Sequence, residues 1–215
     1  MLSQHDPRFT HVYSSAELCN RSLTEYYFIS SAVSNTDELE LLNGPPFSMY
    51  RVALQYCFNA EYNKLLEEKL RAGSPNNHIA SIFNLNTFLY KTEGDAFKDK
   101  YQQNLPILGS LSNSEYAKKQ RLLRDKKFSH SDAHEVNNPL QIPALTDGEI
   151  QKGFEDIDLI YQVINTCAGH FDYAYSVRIP YNDDRTRNFI KFHAIYKKYY
   201  FKHYLDAIRE GFGLP

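Results

Sequence analysis

The residues best suited to chemistry lie in one stretch, RLLRDKKFSHSDAH, from Arg121 to His134. Within it Arg124, Asp125, Lys126, Lys127, His130, Asp132 and His134 crowd into eleven positions. Histidine exchanges a proton near neutral pH, and arginine stays charged and offers a planar fork of donors that fits phosphate oxygens. A phosphodiester is a substrate on which both properties are useful. The same residues also read as an ordinary charged helix end, whose basic side chains favour the carbonyl end of the macrodipole. A third reading is a metal site, because His130 and His134 are four apart with Asp132 between them. The zinc-protease pattern needs a glutamate where Ser131 stands, so no metal is expected.

The elements that must position this stretch read as helices. Ser14 with Glu17 resembles a capping box ahead of Leu18, Leu23, Tyr26, Ile29 and Val33. Asn43, Gly44, Pro45 and Pro46 break the chain, and Phe47, Tyr50, Leu54, Phe58, Tyr62 and Leu65 then recur at helical spacing to about Arg71. A less regular helix follows around Ile79 to Leu89, with Gly94 as a candidate interruption. Pro106 and Gly109 punctuate the apolar run at Leu105 to Leu108, which therefore reads as a connector. Ser112 with Glu115 forms a second box, opening a helix that runs into the Arg124 motif. After a connection through Asn137, Asn138, Pro139 and Pro143, Thr146 with Glu149 opens a long helix carrying Ile150, Phe154, Ile157, Ile160, Tyr161 and Ile164. A last helix is expected from about Arg185 to Glu210. Its Lys191, Lys197, Lys198 and Lys202 interleave with Phe192, Tyr196, Tyr199, Tyr200 and Phe201, either as a base-stacking arm or, more simply, as core or interface aromatics beside a solvated face.

No stretch alternates like a convincing strand, so the fold class is all-α, a helical bundle. With 215 residues, one domain with a substantial core is expected. Net charge is -2, which excludes a global basic field of the kind that drives nonspecific nucleic-acid binding, so a polyanion site must be local. Cys19, Cys57 and Cys167 are odd in number and form no CxxC pair, and are expected to be reduced. The sequence has no apolar signal core and no run long enough to cross a bilayer, so the expectation is a soluble, cytoplasmic chain without a membrane partner. Seventeen Tyr and fourteen Phe, with no Trp, supply aromatic surface for a core or a subunit interface.

At Arg124 the pattern resembles the HEPN superfamily motif, an Arg separated from a His by four to six residues with a polar residue after the Arg. Here the Arg is Arg124, the polar neighbour Asp125 and the His His130. The surrounding LLRDKKFSHSD is similar to the abortive-infection AbiU-like branch, and the resemblance extends over about residues 13–170. The resemblance implies a HEPN-like helical bundle with an additional C-terminal helix over about 183–212. It also implies a homodimer that cuts RNA without a metal or other cofactor, in a toxin or phage-defence setting where an antitoxin protein is a possible partner. Carried over by position, Arg124 and His130 are the catalytic pair with Asp125 as the polar neighbour; Asp132 and His134 lie beyond the core motif and are expected to support the pair, and Lys126 and Lys127 are expected to bind RNA. The rival within the same fold is a catalytically inactive RNA- or nucleotide-binding regulatory protein.

Geometry adds one constraint. Six residues of ideal helix turn through about 600 degrees, so Arg124 and His130 cannot share a face of one continuous helix. Either the helix ends near Phe128, or two subunits bring their motifs together at one cleft. Asp125 would then orient a partner imidazole or, more simply, pair with a neighbouring lysine.

Overall fold

The computed structural model describes residues 6–31, 36–44, 47–68, 81–125, 143–175 and 188–195, together with 203, 206 and 209. Among them the chain is all-α, with no strand. In order come α1 (Pro7–Ser31), α2 (Thr36–Asn43), α3 (Phe47–Leu65), α4 (Ile82–Glu93), a 3-10 turn (Gly94–Phe97), α5 (Lys98–Asn113), α6 (Glu115–Leu123), α7 (Asp147–Ala168) and a 3-10 turn (Gly169–Phe171). Residues 188–195 are also helical.

Two compact units partition the chain, one of Met1–Leu23 with Gln55–Pro180 and one of Thr24–Leu54 with Tyr181–Pro215. The motif belongs to the first. There, α7 is the central helix, with α4 and α5 packed along it. Its buried Ile150, Ile157, Ile160, Val163, Ile164 and Cys167 follow the three-to-four spacing of a core face. The first half of α1 buries Phe9, Val12, Ala16, Cys19 and Leu23 at the same spacing. Close approach to α7 is possible because position 153 is glycine. A Cβ there would stand 2.7 Å from Leu23 Cδ2, 2.9 Å from Tyr116 Oη and 3.3 Å from Phe58 Cζ. In the second unit Tyr26, Ile29, Leu42, Ile190 and Ala194 are buried, and the rings of Phe47 and Phe189 lie 6.3 Å apart.

Several boundaries differ from those expected. The first helix begins at Pro7 rather than near Ser14. Asp6 caps it by accepting the Arg8 N–H at 2.9 Å, and proline takes the first helical position, where no amide is missed. Thr36–Asn43, with Asp37 and Glu38 in its first turn, forms a helix that periodicity did not separate from its surroundings. The helix from Phe47 stops at Leu65, short of Arg71. Gly94 ends α4 at φ 57, a left-handed backbone that glycine adopts without penalty.

The largest difference is the supposed connector at Leu105 to Gly109, which lies inside α5. Pro106 removes one intrahelical bond and frees the Gln102 carbonyl, but both residues are exposed, so water satisfies the freed group. Asn104, Leu108 and Leu111 meanwhile bury the opposite face. Tertiary burial outweighs the local break. The cap of α6 is Ser114, whose Oγ accepts the Ala117 N–H at 3.0 Å, while Ser112 belongs to the last turn of α5.

The third capping box forms as expected. Thr146 Oγ1 accepts the Glu149 N–H at 3.3 Å, and Glu149 Oε2 accepts the Thr146 N–H at 2.8 Å. Glu149 also pairs with Lys119, tying α6 to the start of α7. Burial opposes ionisation of this carboxyl, but the Lys119 and Thr146 hydrogen bonds outweigh it and hold the pKa below the usual range. A depressed native pKa gives stability that is present above the unfolded value of about 4.3 and lost as pH falls through the native one. The difference in melting temperature between the parent and Glu149→Gln should therefore be present at pH 6 and close as pH is taken below about 4. A difference that persists undiminished at pH 3 would contradict this role for the charge.

Candidate active site

Helix α6 delivers Arg124. Its buried residues are Tyr116, Ala117 and Gln120, and Arg124 follows Gln120 by four positions, one turn further along that stripe. The backbone at Arg124 remains helical at φ -56 and ψ -52, with its N–H bonded to the Gln120 and Arg121 carbonyls, and the helix widens into a π turn at Arg124 and Asp125. The Arg124 side chain is 21% exposed, against 52% for Lys118 and 51% for Lys119 on the solvated side. Arg121 and Arg124 are both half-buried, whereas Lys118 and Lys119 are exposed.

Its neighbour fixes one end of the guanidinium. Arg124 Nε donates to Asp125 Oδ1 at 2.9 Å, and the two terminal nitrogens have no hydrogen bond among the described residues. A guanidinium held through Nε presents its remaining N–H groups as a fork suited to a phosphate oxygen pair. Asp125 thus pairs with Arg124 itself. The contact sits at the carbonyl end of α6, where a cation is also favoured by the helix dipole.

The end of α6 is pinned from α3. Gln55, Asn59 and Asn63 lie at four-residue intervals and form a buried polar stripe beside Phe58 and Tyr62. Asn59 Nδ2 donates at 2.8 Å to the Gln120 carbonyl and at 2.8 Å to Gln120 Oε1. Asn63 Nδ2 reaches the same carbonyl at 3.2 Å and the Asn59 carbonyl at 2.8 Å. Gln55 Nε2 donates at 2.9 Å to the carbonyl of Pro143, where the described chain resumes after residues 126–142. Composition and motif reading missed these amides. The signal was present as QYCFNAEYN, a polar residue every fourth position inside an otherwise apolar helix face.

A second buried polar contact ties α3 to α7. Tyr62 Oη donates to Asp156 Oδ2 at 2.5 Å, and Lys152 Nζ lies 2.9 Å from Asp156 Oδ1. Burial and the Asp156 carboxylate push the Tyr62 hydroxyl pKa far above its ordinary value, so it remains a donor. Tyr116, edge-on to Tyr62 with ring centroids 5.7 Å apart, is also pushed up, first by burial. The cysteines are free, as the sequence implied. Burial raises the Cys19 thiol and pushes Cys167 up to about 12, with Asn104 and Lys100 only partly offsetting it, which rules out both as thiolate nucleophiles at neutral pH.

His130, Asp132, His134, Lys126 and Lys127 lie outside the described residues, and Arg124 and Asp125 within them. Among the described residues no group of three His, Cys, Asp or Glu side chains could hold a metal ion. His170 is largely covered; its Nε2 lies 3.6 Å from Glu93 Oε2 and its ring meets Phe97 and Phe171 edge-on. Among the described residues no helix is long and apolar enough to cross a membrane.

Comparison with known proteins supports the family resemblance. The HEPN family model described as AbiU2 matches residues 64–179, a span that holds α4 to α7 and the whole Arg124 to His134 stretch. No curated protein and no solved structure matches the chain. The matched span exceeds half of the 215 residues, and the helical architecture is the one that family requires: the chain belongs to the AbiU2 family, an abortive-infection branch of the HEPN superfamily.

Proposed function

We propose that the protein is a metal-independent endoribonuclease of a toxin or phage-defence type, acting in the cytoplasm, with Arg124 and His130 as the catalytic pair at a homodimer cleft. The observation that carries this reading is the placement of Arg124. Arg124, inside the span that the family model matches, stands half-buried at the end of α6, held through Nε by Asp125, with its terminal nitrogens uncommitted among the described residues.

Cleavage would use the 2'-hydroxyl of the RNA as nucleophile. His130 takes the proton from that hydroxyl, the 2'-oxygen attacks phosphorus, and the bond to the 5'-oxygen breaks as that oxygen acquires a proton. Arg124 holds the non-bridging phosphate oxygens as negative charge builds on them. The products are a 2',3'-cyclic phosphate and a 5'-hydroxyl end. A second subunit supplies a second Arg124 and His130, which resolves the 600-degree separation along one helix. Asp132 and His134 assist the proton transfers, Lys126 and Lys127 hold the RNA backbone, and an antitoxin partner restrains the activity.

The test is incubation of a mixed cellular RNA pool with the purified protein in EDTA, beside Arg124→Ala and His130→Ala. Cleavage by the parent alone supports the proposal. An RNA pool left intact by a parent that still binds it points instead to the regulatory binding module.

A further inference from the structure

The buried amides of α3 stand where apolar side chains would pack at lower cost, because burying an amide forfeits its hydration. Helix termination alone does not demand them. The Gln120 carbonyl already accepts the Arg124 N–H, yet it receives two further donors, from Asn59 and Asn63. One backbone oxygen with three donors is held more tightly than a helix end needs. The third amide of the stripe, Gln55, is spent on the Pro143 carbonyl. All three side chains are at most 5% exposed, so they act on the protein rather than on a ligand.

We infer that the Gln55–Asn59–Asn63 stripe is a positioning device for RNA cleavage, fixing from one face of α3 both the helix turn that carries Arg124 and the return of the chain at Pro143. The inference rests on the ribonuclease reading and adds residues to it. Asn59 and Asn63 are positioning residues. They set where the Arg124 backbone sits by fixing the carbonyl to which its N–H is bonded. Gln55 sets the other flank, 88 positions from its acceptor in sequence. Because one helix face holds both flanks, their separation is defined by α3 rather than by the intervening chain.

The experiment uses Asn59→Leu and Gln55→Leu in the full chain. Gln55→Leu frees only the carbonyl of the exposed Pro143 and should melt near the parent, whereas Asn59→Leu leaves the buried Gln120 Oε1 without its donor and should melt a few degrees lower while still folding. In Asn59→Leu, amide hydrogen exchange at Arg124 should rise about tenfold, the equivalent of one net hydrogen bond, while α7 amides keep their protection. With RNA, both variants should lose about tenfold or more in kcat with KM little changed, as expected when a group acting in the transition state is displaced. A purely structural stripe would change melting temperature and leave kcat alone. Parent-like exchange at Arg124 together with parent-like kcat in both variants would overturn the inference. If the parent cleaves no RNA, the ribonuclease reading fails by itself, and exchange at Arg124 still decides whether the stripe holds that turn: unchanged exchange in Asn59→Leu overturns it. Should Asn59→Leu unfold, Gln55→Leu carries the kinetic test, and Asn63→Leu the exchange test.

Discussion

Arg124→Ala should reduce RNA cleavage by about two to three orders of magnitude, the usual effect of removing one donor aimed at developing transition-state charge. Stability should hardly move. The Arg124 pair with Asp125 is half exposed on the carboxylate side, and such pairs contribute about 0 to 1 kcal/mol. The dipole contribution at the end of α6 adds about 0.3 to 1 kcal/mol. A large loss of activity with a small loss of stability separates a phosphate-binding arginine from the charged helix end that the same residues would otherwise be. Arg124→Lys should not restore the rate, since a lysine ammonium keeps the charge but lacks the planar fork that Asp125 orients. Kinetics of the three proteins beside their melting curves provide the check. Parent-like cleavage by Arg124→Ala would remove the residue from the mechanism.

The second large effect falls on stability. Asp156 is 1% exposed within α7 and accepts from Tyr62 while pairing with Lys152. Asp156→Ala leaves the Tyr62 hydroxyl buried without its acceptor, which costs about 1 to 3 kcal/mol, and breaking a buried ion pair brings the total to about 3 kcal/mol or more. Lys152 lies near the surface and can turn to water, which keeps the loss below that of a fully enclosed pair. For a chain of this size about 3 kcal/mol corresponds to a fall of roughly 6 to 12 °C in melting temperature. Tyr62→Phe removes the donor but leaves the Lys152 partner, and should cost less than Asp156→Ala. Calorimetry on the two variants tests the order; equal melting temperatures for Asp156→Ala and the parent would show that the contact contributes nothing to α3 and α7 packing.

The all-α class could be read directly, because long apolar stripes such as Phe58, Tyr62 and Leu65, or Ile157, Ile160 and Ile164, have no strand alternative. Capping residues were legible only where they flank an apolar run. Thr146 and Glu149 do, and their box formed as expected. Ser14 and Ser112 matched the same pattern inside helices, where register is fixed by burial rather than by a local cap. Pro106 misled for a related reason: its cost is local, and the gain from burying Asn104, Leu108 and Leu111 becomes visible only once α7 is in place. Arg124 was found by motif, but its half-buried placement depends on the α6 register after Ser114. Asn59 and Gln55 were passed over because their acceptors, Gln120 and Pro143, lie 61 and 88 positions away. A hydrogen bond of that reach leaves no periodic trace in one helix beyond the polar stripe itself.

The end groups of the RNA fragments give the most direct test of the proposed chemistry. Fragments made by the purified parent in EDTA should carry 2',3'-cyclic phosphate and 5'-hydroxyl ends, and an RNA with 2'-O-methyl groups throughout should remain whole. Fragments bearing 5'-phosphates, or cleavage of the methylated RNA, would contradict attack by the 2'-hydroxyl and with it the roles assigned to Arg124 and His130.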